Sequence, residues 1–309
     1  MYLPTMKNKQ GELRALHEFL KCTVTHEKVD NLLPNIVISD TSSAELDKIK
    51  KQYTQTTLLD TRELSGDEII DLISLVNDPN YNQFKIVFPL EFIIAEENAE
   101  LLQSLEIEYT SVQASELASP LIQKALSSYV EDLPKNIILD FGYIDSGVVP
   151  FNINRIVSIL SDKNIFILSG SIPATIPAAS NQDYSQDIFE FILYKNIISL
   201  PESKNVNINF GDYTVNHPNP TPINGPIIPI VQIKYTRQNK KEFWLVRNGK
   251  RQGNYDFHPV ANTITGDSNF SVKSWGDEYL LGYLNGTESV GNAATWSAIS
   301  INRHISIFS

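Results

Sequence analysis

The sequence predicts an α/β fold, a TIM-like (β/α)8 barrel with a C-terminal α+β appendage packed on it. Three observations carry that expectation. Short apolar runs alternate with amphipathic helical patterns eight times between Tyr2 and Tyr213. The connectors between them are short, as right-handed parallel crossovers allow. Several of the runs are apolar at nearly every position, the pattern of strands buried on both faces of a parallel sheet. Eight strands are the number that closes such a barrel. An open doubly wound sheet would share the alternation, but no Gly-x-Gly-x-x-Gly follows any strand, which argues against its dinucleotide-binding form.

In chain order, the first unit runs from Tyr2 through Lys7 and Lys9 to Gly11, then into a helix with Glu12 in its first turn. Leu13, Leu16, Phe19 and Leu20 recur there at helical spacing. Leu32–Ile38 is the second strand, and Asp40 to Glu45 supplies capping residues for the helix after it. Thr56–Asp60 is the third strand and ends on an acid. Ser65 and Glu68 have capping-box spacing before a helix carrying Ile69, Leu72 and Ile73. Lys85–Glu91 is the fourth strand, with a helix from Glu97 to Leu105. Glu106–Val112 is the fifth strand, followed by a helix from Ser115 to Val130. Asn136–Phe141 is the sixth and contains Asp140; Phe151–Leu160 is helical and Asn164–Gly170 is the seventh strand. A helix from Tyr184 to Ile198 leads to the eighth strand, Asn205–Tyr213.

Beyond Tyr213 the pattern changes. A proline-rich loop, 216–229, precedes strands at Ile230–Tyr235 and Glu242–Val246. Asn248-Gly249 gives a tight-hairpin signal. Helices at Tyr255–Ile264 and Trp275–Leu284 and a last strand at Ile305–Phe308 complete the chain. The expected organisation is a barrel over residues 1–215 and an appendage over 216–309 that completes the same domain.

Composition narrows the function. The 309 residues are 42% hydrophobic and 20% charged, with a formal net charge of −11. That field opposes nonspecific attraction to duplex nucleic acid. No apolar run is long enough to span a bilayer, and the start lacks the pattern of a signal peptide. One cysteine, Cys22, leaves neither an internal disulfide nor a Cys-based zinc site. The expectation is a cytoplasmic protein with no membrane partner. One basic cluster, from Lys234 to Arg251, reads as a solvated hairpin or as a phosphate-contacting arm.

In a parallel barrel the carboxyl ends of the strands converge on one face, where sites are built. Those ends supply Lys7, Lys9, Asp60, Glu91, Asp140, Ser169, Ser171, Asp212 and Tyr213. Converging acids repel unless a cation compensates them. One version of the site has Asp60, Asp140 and Asp212 binding Mg2+ or Mn2+, with Lys7 on a phosphate. A second is a metal-free pocket in which Lys7 pairs with an acid and a small ligand binds. A third is purely structural, with the same groups serving as salt bridges and caps. No Gly-x-Ser-x-Gly, His-Glu-x-x-His or Walker motif is present.

Tyr2-Leu-Pro, Lys7, Lys9, Gly11-Glu12 and Ala15-Leu16 resemble the start of the Beta protein family, encoded by prophages, satellite phages and genomic islands. Phe210-Gly-Asp-Tyr213, Ile233-Lys-Tyr235, Trp244 to Gly249, Gly276-Asp277, Gly291-Asn292, Trp296 and Asn302 to Ile305 resemble its tail. The resemblance implies a role in phage–host conflict: anti-phage defence, or neutralisation of a toxin encoded nearby. Partners would be that neighbour's product, a phage component, or a nucleotide or nucleic acid. Combined with the strand ends, the expected site has Asp140, Asp212 and Glu12 in acid–base or cation-binding roles. Lys7, Lys9, Asp60, Glu91, Tyr213 and Arg247 would bind ligand. If the protein is an enzyme, it is a hydrolase of phosphate esters. The alternative is a noncatalytic scaffold that uses the hairpin around Trp244 and Arg247 as its contact surface.

Overall fold

The computed structural model describes residues 1–150, 152–176, 182–220, 230–239, 242–248 and 256–309. These form two compact units, each assembled from separate stretches. One comprises Met1–Lys7, Leu33–Ser171 and Phe189–Tyr213; the other comprises Asn8–Leu32, Ile172–Ile188 and Thr214–Ser309.

The first unit is a closed parallel barrel. Its strands are β1 (Tyr2–Lys7), β2 (Asn35–Val37), β3 (Thr57–Asp60), β4 (Phe84–Pro89), β5 (Tyr109–Gln113), β6 (Asn136–Tyr143) and β7 (Asn164–Gly170). The next strand in the chain, β8 (Tyr184–Asp187), belongs to the other unit. The barrel is completed by β9 (Asn207–Asp212), which pairs with β7 on one side and β1 on the other. All eight expected barrel strands are present, in the expected order.

The period-2 alternation of side chains decides what each residue does. Leu3, Leu33, Leu58, Val87, Ile138, Phe166 and Leu168 form one cluster inside the barrel, capped by Tyr213. Ile137, Leu139, Ile165 and Ile167 point outward, against a shell that includes Leu126, Ile156, Val157, Leu193 and Ile197. Burying each such aliphatic side chain contributes about 1.5–3 kcal/mol. The amino end of the barrel carries an amide ladder. Asn207 donates to Asn164 and Asn164 donates to Asn136, at 2.9 and 3.0 Å.

The helices follow the chain as α1 (Gln10–Lys21), α2 (Ser43–Gln52), α3 (Gly66–Val76), α4 (Leu90–Ile94), α5 (Ala99–Gln103), α6 (Pro120–Tyr129), α7 (Ile153–Ile159) and α8 (Phe189–Ile198). The Ser65–Glu68 capping box forms at the start of α3, with both reciprocal bonds present. Glu91 is not on a strand as expected. Pro89 ends β4, and Glu91 falls in the first turn of α4, exposed.

The second unit holds an antiparallel sheet in the order β10 (Val231–Thr236), β11 (Glu242–Asn248), β8. Residues 184–187, expected to be helical, are therefore a strand. Tyr184 pairs with Leu245 and Asp187 with Glu242, and only then does α8 start. β10 and β11 pair antiparallel, with Thr236 opposite Phe243. Asn248, expected at a hairpin turn, instead ends β11 opposite Val231, while Gly249 lies outside the described residues.

Three helices close the chain: α9 (His258–Thr265), α10 (Trp275–Leu284) and α11 (Ala293–Phe308). The expected terminal strand at Ile305–Phe308 is the last turn of α11. The run Ile299-Ser-Ile-Asn-Arg-His-Ile-Ser-Ile alternates like a strand, but α11 is buried around almost its whole circumference. A helix covered on every face shows no single apolar stripe, so period alone misassigns it. Two glycines permit the close packing. A Cβ at Gly11 of α1 would lie 2.8 Å from the Ala294 carbonyl oxygen, and one at Gly276 of α10 would lie 2.7 Å from that of Ile299. Among the described residues, no helix is long and apolar enough to cross a membrane.

Candidate functional site

At the carboxyl end of the barrel, a single arginine gathers two of the strand-end acids. Arg62 stands two residues beyond Asp60, in the loop after β3. Its Nε and Nη2 donate to the two oxygens of Asp60 at 2.9 and 2.6 Å. Its Nη1 donates to Asp140 Oδ2 on β6 at 2.5 Å and to the Tyr213 hydroxyl at 2.6 Å. The Tyr213 hydroxyl in turn donates to Asp140 Oδ2 at 2.5 Å. Gln113 Nε2 and the Gly142 amide add bonds to Asp140, and Asn35 Nδ2 donates to Asp60 Oδ2 at 2.8 Å. Asp60 and Asp140 are almost wholly buried, whereas the Arg62 side chain is 20% exposed.

The electrostatics follow from this geometry. Burial opposes ionisation of Asp60, but the Arg62 charge and the bonds from Arg62 and Asn35 outweigh it. The carboxyl therefore titrates below its ordinary range. Burial likewise opposes the charge on Arg62, and Asp60 more than restores it, raising its pKa. Burial, followed by the neighbouring Asp140, pushes the Tyr213 phenol well up, so it remains a proton donor at neutral pH. The bidentate fork between Arg62 and Asp60 fixes the guanidinium plane. This ring is rigid and charged, and it opens to solvent at the arginine.

The expected site residues separate into several environments. Asp60, Asp140 and Tyr213 come together around Arg62. Asp212 ends the same strand that Tyr213 follows, yet alternation turns it to the other face. It accepts a 2.8 Å bond from the Tyr2 hydroxyl. Burial and the charges of Asp212 and Glu190 raise the Tyr2 phenol. Ser169 is the register partner of Asp212 on β7. Lys7 pairs with Glu63 at 2.6 Å, both side chains more than a third exposed. Because Glu63 follows Arg62, that pair sits beside the loop carrying the guanidinium.

Lys9, Glu12 and Arg247 belong to the second unit. Lys9 is an exposed residue at the start of α1. Glu12 is buried and accepts from Asn216 Nδ2 at 3.2 Å. Its charge partly offsets the burial that pushes the Lys234 ammonium down to about 8. Lys234 donates to the Val215 carbonyl at 2.6 Å. Burial lowers the Arg247 pKa. Trp244 is 8% exposed and packs with Tyr235, Val246 and Phe257. Within the expected basic cluster, Lys240, Lys241, Lys250 and Arg251 lie outside the described residues. His304 is buried, with Nδ1 at 2.7 Å from Thr236 Oγ1. Among the described residues, no group of three or more His, Cys, Asp or Glu side chains is placed to hold a metal ion.

Sequence reasoning missed Arg62, Asn35 and Gln113. The signal for Arg62 was available, since residues i and i+2 of an extended segment share a face and Arg62 lies two residues beyond the strand-end Asp60.

These features define a closed eight-stranded parallel barrel whose carboxyl end carries an arginine-centred polar ring. The family model described as Beta protein matches residues 97–308. The chain belongs to the Beta protein family. The matched stretch contains Asp140, Asp212, Tyr213 and Arg247, while Lys7, Asp60 and Arg62 precede it. A comparison with curated proteins finds no match. Among solved structures, the chain is similar to (S)-3-O-geranylgeranylglyceryl phosphate synthase from Thermoplasma acidophilum, crystallised with its substrate sn-glycerol-1-phosphate. The two are 11% identical with a TM-score of 0.38, over 70% of this chain and 85% of that one. A likeness of that size carries no argument about this chain.

Proposed function

We propose that this Beta-family barrel is a ligand-binding protein whose polar mouth takes a small phosphate-bearing molecule in the course of phage–host conflict. The single observation behind the binding reading is Arg62: a guanidinium locked by two buried carboxyl groups yet open to solvent. A barrel needs no such group for its stability, because buried ion pairs recover little beyond their desolvation cost. Held rigid, the group loses little entropy on meeting an anion. Lys7, beside the same loop, supplies a second cation once the ligand displaces Glu63.

Binding is favoured over hydrolysis. Asp60 is held ionised by Arg62, so it is not poised to move a proton near neutral pH, and the Asp140 carboxyl oxygens are occupied by four hydrogen bonds. Asp212, assigned an acid–base role from the sequence, lies on the opposite face with Tyr2. The phage–host setting rests on the family resemblance, and the partner in it is a nearby-encoded protein or a phage component. The hairpin-scaffold alternative is weakened because Trp244, its intended anchor, is buried.

The test is a thermal-unfolding screen of the purified protein against sugar phosphates, nucleotides and inorganic phosphate, with Arg62→Lys alongside. A saturable stabilisation by phosphate-bearing ligands in the wild type, lost in Arg62→Lys, supports the reading. No stabilisation by any of them refutes it. Plating efficiency of phage on cells expressing each form then tests the setting.

A further inference from the structure

The hydrogen bonds of the mouth ring leave a small, specific set of valences open. Asp60 accepts four bonds, from the Arg62 backbone amide, its Nε and Nη2, and Asn35 Nδ2. Asp140 also accepts four. The Tyr213 hydroxyl both donates and accepts. Arg62 uses four of its five N–H groups, leaving one on Nη2.

Asn35 is fully buried, and its side-chain oxygen has no hydrogen-bond partner. Its orientation is not ambiguous. The carboxylate of Asp60 can only accept, so the amide nitrogen must face it, and a second bond from that nitrogen to Thr5 Oγ1 at 3.1 Å pins the group. The oxygen is thus a fixed, desolvated acceptor. A buried acceptor left unpaired is costly, and native structures rarely keep one without a reason.

Asp60 Oδ2 is the shared anchor of both open groups. It takes the bond from Asn35 Nδ2 at 2.8 Å and the bond from Arg62 Nη2 at 2.6 Å. Asn35 and Arg62 thus meet at one carboxylate oxygen, which places the two open groups on neighbouring side chains of the ring. The spare N–H of Arg62 calls for an anionic acceptor, the spare oxygen of Asn35 for a donor.

We infer that the ligand of the mouth is a hydroxyl-bearing phosphate ester, a polyol or sugar phosphate, with its hydroxyl donating to Asn35 Oδ1. Asn35 is then the residue that separates such esters from inorganic phosphate and from alkyl phosphates. This inference rests on the phosphate reading of the mouth and goes one step further, naming what the rest of the ligand must carry. A site built to accept a hydroxyl rejects the analogue lacking it, because its own buried group is left unpaired.

The experiment compares glycerol 3-phosphate and ribose 5-phosphate with propyl phosphate by calorimetric titration of the full-length protein. The expected result is tighter binding of the hydroxylated esters by about tenfold or more. In Asn35→Leu that preference collapses. Equal binding of propyl phosphate and the hydroxylated esters to the wild type overturns the inference and leaves the phosphate reading standing. Failure of all three to bind overturns both. The wild-type comparison decides the matter even if Asn35→Leu does not fold.

Discussion

Two arginines in this chain are each held by a buried aspartate, and they differ in what surrounds them. Arg62 in the barrel unit bridges Asp60 and Asp140 and is 20% exposed. Arg303 in the second unit is fully buried and donates to the equally buried Asp277 at 2.6 Å. Its remaining bonds go to the Thr236 and Ser271 carbonyls, and its guanidinium lies 4.6 Å from the centre of the Tyr235 ring. Asp277 is itself closed in by Tyr235, Lys273 and Ser274. Both networks are charged and hydrogen-bonded, but only the one around Arg62 faces solvent. Burial and pairing are common to the two; an open face on a fixed charge separates them.

That contrast predicts different losses. Arg303→Met leaves Asp277 buried without its cation and should destabilise the protein by about 3–5 kcal/mol. Denaturant unfolding would show it, and the Arg303→Met/Asp277→Asn double variant should lose less than the sum of the two single variants. Arg62→Met should cost about 2–3 kcal/mol, since solvent at the open face screens what remains of the acid pair. Arg62→Lys should recover part of that stability but not ligand binding, because an ammonium cannot form the bidentate fork. A larger loss at Arg62 than at Arg303 would reverse the assignment of roles.

Next in size is a pH effect from Lys234, whose ammonium is pushed by burial from an ordinary 10.5 down to about 8. Between those values the unfolded chain holds more protons than the folded one, so stability rises with pH across that window. The contribution is on the order of 2–3 kcal/mol. Lys234→Met should remove that rise in a pH series of unfolding midpoints. The Asp60 carboxyl, lowered by Arg62, has the opposite dependence. Its stabilisation is complete above the ordinary carboxylate value and is lost as pH falls below it. The smallest effect belongs to Lys7→Ala, because an exposed pair with Glu63 is worth at most about 1 kcal/mol. That variant should unfold like the wild type while binding phosphate esters more weakly.

The barrel was legible because it is redundant in the sequence. Eight apolar runs and the Ser65–Glu68 box each point to the same architecture, so shifted boundaries at β2 or α7 do not disturb it. The site was legible only in part. Asp60 and Asp140 were found as strand-end acids, but reading Asp212 and Tyr213 as one constellation ignored that adjacent residues on a strand face opposite ways. Arg62 lies in the loop beyond β3, outside the strand ends from which the site residues were read. In the second unit, α11 was illegible for a different reason. Its isoleucines and serines alternate, and what makes it a helix is the tertiary burial of all its faces, including the close approaches at Gly11 and Gly276.

The most direct test of the central claim follows the two guanidinium groups themselves by 15N NMR of their Nε–H signals during titration with ribose 5-phosphate. Arg62→Lys and Arg303→Met samples would assign the two resonances. The account predicts a saturable shift of the Arg62 signal while that of Arg303 stays in place. An Arg62 signal that does not move, or one that moves no more than that of Arg303, would contradict a ligand site at the barrel mouth.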